Sequence, residues 1–105
     1  MKLSILMPVF DEERTLAPVI KRVLDVQYPC DIEVVVVDDG SRDGTSSILG
    51  GIEDPRVVAH RHPRNRGKGA AIRTASEVQR LIDGGGKVLI IPDAHKSMVT
   101  VQDES

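Results

Sequence analysis

The sequence predicts an α/β fold, a three-layer domain with a mostly parallel sheet, and three observations predict it. Apolar strand-like runs alternate with helical segments along most of the chain, the pattern that builds βαβ units. The run Ile32-Glu33-Val34-Val35-Val36-Val37 is β-branched and nearly continuous, as a strand covered on both faces requires. That run stops abruptly in Asp38-Asp39-Gly40-Ser41-Arg42-Asp43-Gly44-Thr45, which puts acids and glycines at the carboxyl edge of the sheet, where open α/β sheets collect ligands.

Residues 2–9 are a short apolar run, and Pro8 is expected to end it because proline cannot continue a ladder. Asp11-Glu12-Glu13-Arg14 makes the next turn. Leu16, Val19, Ile20, Val23 and Leu24 then recur at helical spacing, with Thr15 as N-cap and Pro18 in the first turn, and the helix ends before Tyr28-Pro29. After the second strand, Thr45 is placed to cap a short helix through Ile48 and Leu49 to Gly50-Gly51. Residues 57–62 form a third, less apolar strand, expected nearer an edge. A helix follows with Ala71, Ile72, Ala75, Val78 and Ile82 on one side, and Gly84-Gly85-Gly86 ends it. Residues 88–91 are a fourth strand that finishes at Pro92-Asp93. Right-handed crossovers turn this βαβαβαβ order into a Rossmann-like sheet of order 3-2-1-4, with its switch point between strands one and four.

At 105 residues the chain is expected to be one domain, over 1–95, with a polar tail over 96–105. The net charge of −2, with acids and bases interspersed, argues against a nucleic-acid-binding surface. Phe10 and Tyr28 are the only aromatics, too few for a stacking platform. The lone Cys30 has no partner for an internal disulfide and reads as a small packing residue. With no basic, apolar leader and no apolar run near the ~20 residues that cross a bilayer, the expected location is cytoplasmic, extending to peripheral membrane association.

Three loops carry the chemistry. A carboxylate among Asp38, Asp39 and Asp43 can accept the imide N–H of uracil, the N1–H and amino group of guanine, or ribose hydroxyls; the plainer reading is an ordinary turn. Arg64-Asn65-Arg66-Gly67-Lys68-Gly69 sets three cations ahead of a helix N-terminus, which suits phosphate oxygens; the plainer reading is a solvated basic loop. It is neither a Walker loop nor a dinucleotide fingerprint. At Asp93-Ala94-His95 a carboxylate could hold Mg²⁺ or Mn²⁺ against a pyrophosphate, and the imidazole of His95 suits Mn²⁺ better than hard Mg²⁺. His60 and His62 share a strand face and could be half of a metal site, although a polar strand face is the plainer account.

Three stretches, Ser4-Ile-Leu-Met-Pro-Val-Phe-Asp-Glu-Glu13, Val35-Val-Val-Asp-Asp-Gly-Ser-Arg-Asp-Gly-Thr45 and Asn65-Arg-Gly-Lys-Gly-Ala-Ala-Ile-Arg-Thr74, resemble family 2 glycosyltransferases of the GT-A fold. The likeness is to the branch that serves polyprenol and dolichol phosphates, and it covers residues 1–74. It implies that Pro8, Val9, Phe10 and Glu12 line a nucleoside pocket and that Asp38 or Asp39 holds the base or ribose. It implies that Arg66 and Lys68 approach the diphosphate and sugar, and that Asp93 and His95 stand where the family's metal-binding Asp-x-Asp stands. The reaction implied is metal-dependent, inverting transfer of a hexose from a GDP- or UDP-sugar to a lipid-linked phosphate, with Mg or Mn as cofactor. The family's acceptor-binding half has no counterpart here, so a homo-oligomer or a partner chain is expected to supply it. Catalysis is therefore left open between a transferase domain and a non-catalytic nucleotide-sugar-binding remnant or regulatory module. A receiver-like domain using Asp38-Asp39 is a third reading, but its acids belong after the first strand.

Overall fold

A computed structural model of the chain describes residues 2–82 and 86–93. It contains β1 (Lys2–Val9), α1 (Leu16–Asp25), β2 (Asp31–Asp38), α2 (Thr45–Gly50), β3 (Val57–Arg61), α3 (Lys68–Ile82) and β4 (Lys87–Ile90). The four strands form one sheet of order β3-β2-β1-β4 with every pair parallel, as the alternating pattern predicts.

The strand alternation of period two sorts the core into two layers. Ile5, Met7, Val9, Val34 and Val36 face Leu16, Val19 and Ile20 of α1 and Leu49 of α2. Leu6, Val35 and Val37 face Ala71 and Ala75 of α3. Their alanines, one turn apart, let the helix backbone approach the sheet closely. Two successive crossovers step outward from β1 to β3 and put α1 and α2 on one face; the third steps back past β1 and puts α3 on the other.

Several expectations need correcting. Pro8 does not end β1, because the strand runs through Val9. The Leu6 carbonyl accepts the Ile91 N–H at 2.9 Å on the β4 side, and the Val9 carbonyl accepts the Asp39 N–H at 2.8 Å on the β2 side. Pro8, two residues after Leu6, therefore faces the β4 side, where pairing has already stopped at Leu6 and Ile90, and no ladder donor is lost. Thr15 starts α1 but makes no side-chain cap, and its buried Oγ1 has no hydrogen-bond partner. Gly44, not Thr45, is the N-cap of α2. On α3 the buried positions are Ala70, Ala71, Ala75 and Gln79. Ile82 stays 45% exposed, since the helix lies over β1 and β2 and its last turn is uncovered.

β4 is an edge strand whose Val88, Leu89 and Ile90 are 47%, 48% and 42% exposed. The Gly84-Gly85 part of the glycine stop, His95 and the tail over 96–105 lie outside the described residues. Among the described residues no helix is long and apolar enough to cross a membrane.

Candidate functional site

Parallel strands deliver their C-terminal loops to one edge, and the crossover from β3 to β4 opens a crevice beside β1. A cavity of about 310 Å³ lies there, lined by Pro8, Val9, Phe10 and Glu12 after β1, Asp39 after β2, Asn65, Gly67 and Lys68 at the start of α3, and Pro92 and Asp93 after β4. All three predicted loops therefore meet in one cleft. Of the predicted residues, Pro8, Val9, Phe10, Glu12, Asp39, Lys68 and Asp93 line it; Asp38 and the Arg66 side chain do not.

The two adjacent aspartates have separate tasks because successive side chains leave a strand on opposite sides. Asp39 is 3% exposed and accepts two hydrogen bonds on each oxygen. Oδ1 takes the Arg66 N–H at 2.9 Å and lies 2.7 Å from His62 Nδ1. Oδ2 takes the Gly67 N–H at 2.9 Å and the Asn65 Nδ2 donor at 3.2 Å. The carboxylate thus folds the basic loop around itself, with Gly67 at φ 98° supplying a conformation other residues rarely adopt. Arg66 contributes its amide to the arrangement.

Asp38 is fully buried; Oδ1 accepts the Ser41 N–H at 2.9 Å, while Oδ2 has no hydrogen-bond partner and sits 3.7 Å from Arg61 Nε. Ser41 and Arg61 belong to a second depression that adjoins the cleft, sharing Phe10 and Asn65 with it and adding Gly40, Arg42 and Arg64. The Arg42 guanidinium stands 5.5 Å over the Phe10 ring.

The loop after β1 is held by side chains of the loop after β2. Three consecutive amides, of Asp11, Glu12 and Glu13, donate to Ser41 Oγ at 2.9 Å, Thr45 Oγ1 at 2.7 Å and Asp43 Oδ2 at 3.4 Å. In return Asp11 Oδ1 accepts the Arg42 N–H at 2.8 Å and Glu13 Oε2 accepts the Gly44 N–H at 3.2 Å. Burial pushes the Asp43 carboxyl up, but hydrogen bonds from the Thr45 hydroxyl and from the Thr45 and Glu13 amides outweigh it and leave it below the usual range. This lacework explains why Asp, Ser and Thr crowd this stretch: Asp38, Ser41, Asp43 and Thr45 each capture a backbone donor with a short side chain.

Lys68, at the first position of α3, donates to Asp93 Oδ1 across the cleft. The first-turn N–H groups of this 15-residue helix have no intrahelical acceptor, which adds to the positive potential there. Among the described residues no group of three His, Cys, Asp or Glu side chains could hold a metal ion. With the Asp39 oxygens filled, Asp93 and Glu12 are the carboxylates that line the cleft, and Asp93 is the one that follows β4. A single carboxylate fits a hard divalent cation that draws its other ligands from substrate phosphates and water.

Sequence reasoning missed Asn65, Gly67 and Pro92 in the lining and gave His62 the wrong surroundings. His62 follows β3, is 2% exposed and bridges Asp39 to Thr74 Oγ1, 2.8 Å from Nε2, so it is neither half of a metal site nor part of a polar strand face. His60 stays exposed on β3.

Comparison with known proteins accords with this geometry. Residues 4–96 match the family described as Glycosyl transferase family 2, so the likeness continues past Thr74 to the end of the cleft residues. A bactoprenol glucosyl transferase of Shigella phage SfV is 40% identical over 76 residues, 69% of this chain and 25% of that protein. An undecaprenyl-phosphate 4-deoxy-4-formamido-L-arabinose transferase of Pseudomonas fluorescens is 40% identical over 96 residues, 87% of this chain and 27% of that protein. The chain thus spans about a quarter of the length of the curated relatives it matches. A mannosyltransferase from Pyrobaculum calidifontis, solved with GDP-Man and Mn²⁺, superimposes with a TM-score of 0.66 and 28% identity over 72% of this chain and 24% of its own. The S. aureus TarS 1-349 structure with UDP-GlcNAc gives 0.71 at 22% identity, over 99% of this chain and 32% of its own, which shows the shared fold.

Proposed function

The chain belongs to glycosyl transferase family 2, and from that premise we propose that it binds a nucleotide-diphospho-sugar, GDP- or UDP-hexose, for transfer to an acceptor such as a polyprenyl phosphate. The observation that carries the reading is the convergence of Glu12, Asp39, Lys68 and Asp93 on one cleft at the switch point of a parallel sheet.

In this reading the nucleoside takes the depression bordered by Phe10, Ser41 and Arg61, where Asp38 Oδ2 accepts no hydrogen bond among the described residues and has the Arg61 guanidinium beside it. A small side-chain shift would turn that acceptor toward a base N–H. The diphosphate lies against Lys68 and the N-terminal turn of α3, where ammonium and helix dipole both favour negative charge. Asp93, with His95 beyond it in sequence, would hold a divalent cation together with phosphate oxygens. When bound, that cation adds positive charge as sugar departure leaves negative charge on the diphosphate. Lys68 stabilises the same charge and Asp39 keeps the loop that presents it in one shape. Relatives named for bactoprenol and undecaprenyl phosphate support a lipid-linked phosphate as acceptor. Such an acceptor is already anionic and scarcely needs a general base.

The alternative is a non-catalytic nucleotide-sugar-binding module. In it the same cleft holds the nucleotide sugar without transferring it, and Lys68 and Asp93 serve binding alone. Membrane contact, if the acceptor is a lipid, is then peripheral at this domain.

A thermal-shift screen of UDP, GDP and their sugars with and without Mn²⁺ tests the reading, because a ligand of the native state raises its melting temperature. A rise with one base, larger with Mn²⁺, is expected; no rise with any of them counts against nucleotide binding. Sugar release from the hit ligand then separates transferase from module.

A further inference from the structure

His62 is the one buried ring among the described residues to which the proposed reaction gives no task, and both of its nitrogens are engaged. We propose that His62 is a positioning residue that acts through Asp39, fixing the loop of Asn65, Arg66, Gly67 and Lys68 in the shape that receives a diphosphate. The inference rests on the nucleotide-binding reading above and assigns that cleft a residue outside its lining.

The argument starts from what holds Asp39. Three of its four hydrogen-bond donors, the Asn65 side chain and the Arg66 and Gly67 amides, belong to the loop itself. They order the loop relative to the carboxylate but do not fix the carboxylate to the scaffold. His62 does that. Its own amide donates to the Asp38 carbonyl at 2.9 Å, tying it to the end of β2, and its ring spans from Asp39 Oδ1 at 2.7 Å to Thr74 Oγ1 of α3 at 2.8 Å. With amides donating to both carboxylate oxygens, Asp39 acts as acceptor, and Nδ1 of the ring carries the hydrogen. Nε2 meets the Thr74 hydroxyl, which leaves no buried polar atom of the ring unmatched. The ring is therefore a strut between the sheet edge and the helix whose first residue is Lys68.

A buried histidine that only fills space would make no distinction between its two nitrogens, whereas a positioning role through Asp39 depends on Nδ1. Asparagine places its amide where Nδ1 stands and glutamine places its amide where Nε2 stands. The test uses the full chain with Mn²⁺. It measures the Kd of UDP and GDP by calorimetry, the Kd of uridine and guanosine by ligand-observed NMR, and folding by ligand-free urea melts. His62→Asn is expected to keep diphosphate affinity within about threefold of wild type. His62→Gln is expected to weaken it about tenfold or more while nucleoside affinity stays within about twofold, because the loop serves the phosphates. Thr74→Val, which leaves the Nδ1 contact in place, should resemble His62→Asn. Equal diphosphate binding by all variants would overturn the proposal, as would equal loss by His62→Asn and His62→Gln, or a parallel loss of nucleoside and diphosphate. If His62→Gln fails to fold, His62→Ala takes its place: a tenfold loss of diphosphate affinity there with retention in His62→Asn supports the proposal, and retention in both or loss in both overturns it. Wild-type protein that binds no nucleotide removes the underlying reading, and that result is distinct from any variant-specific outcome.

Discussion

The amide of Glu12 donates to the hydroxyl of Thr45 at 2.7 Å, joining the loop after β1 to the first turn of α2. Thr45 is fully buried, and the same hydroxyl is held by Asp43 Oδ1 at 2.5 Å. Thr45→Val keeps the shape but strands the Glu12 N–H and leaves Asp43 Oδ1 with only the Thr45 amide as donor. The expected loss is about 1–3 kcal/mol in urea unfolding, with weaker nucleotide binding because Glu12 borders the cleft.

Gly40 has φ 73°, and a Cβ there would stand 2.3 Å from the Arg64 carbonyl carbon and the Asn65 nitrogen. Both neighbours are backbone, so neither can swing aside. Gly40→Ala should therefore destabilise by more than about 2 kcal/mol and displace the Asn65 loop. Urea melts and nucleotide titration check it; wild-type values for both would contradict it.

Lys68 and Asp93 face each other across the cleft and are expected to part when a diphosphate and a cation enter. Lys68→Ala should lower metal-free diphosphate affinity about tenfold, the scale of losing one charge-assisted contact. Asp93→Asn should instead abolish the gain in affinity that Mn²⁺ confers and leave metal-free binding near wild type. Calorimetry with and without Mn²⁺ distinguishes the two effects.

At the opposite end of the sheet Arg56 grips Asp54 through two side-chain bonds of 3.0 and 2.8 Å, and its amide adds a third of 2.8 Å. The Arg56 side chain, then its amide, hold the Asp54 carboxyl down at about 2 from an ordinary 3.8. A carboxyl lowered on folding adds stability that is full above its unfolded value and disappears as pH falls through its folded one. The melting temperature should therefore drop between pH 4 and pH 2, helped by the lowered Asp43. Asp54→Asn should melt lower at pH 6 and show a flatter profile in that window, with nucleotide binding unchanged.

How far the sequence reaches into this structure depends on what each residue touches. The strand order was legible because the run of valines at 34–37 needs cover on both faces and right-handed crossovers leave few arrangements. A place in the cleft was legible for Phe10, Glu12, Asp39, Lys68 and Asp93, because the family resemblance singles them out and strand ends and a helix start bring their loops to one edge. That the adjacent Asp38 and Asp39 face opposite ways, leaving one free to tie down a loop, was legible from the strand's period of two; which of them does so was not. It turns on His62 and Asn65, which lie 23 and 26 positions from Asp39 and meet it only after folding. Pro8 misled for a similar reason: whether a proline breaks a ladder depends on where the neighbouring strand ends. Ser41, Asp43 and Thr45 read as turn formers, and nothing local reveals that the donors they accept come from residues 11–13.

The most direct measurement is a crystal of the chain soaked with Mn²⁺ and the nucleotide diphosphate that gives the largest thermal shift, with anomalous scattering recorded at the manganese edge. The account predicts one manganese peak beside Asp93, bridged to phosphate density that reaches Lys68, and a base near Phe10 and Arg61. Nucleotide density on another face of the sheet, or a manganese peak away from the crevice between β1 and β4, would contradict it.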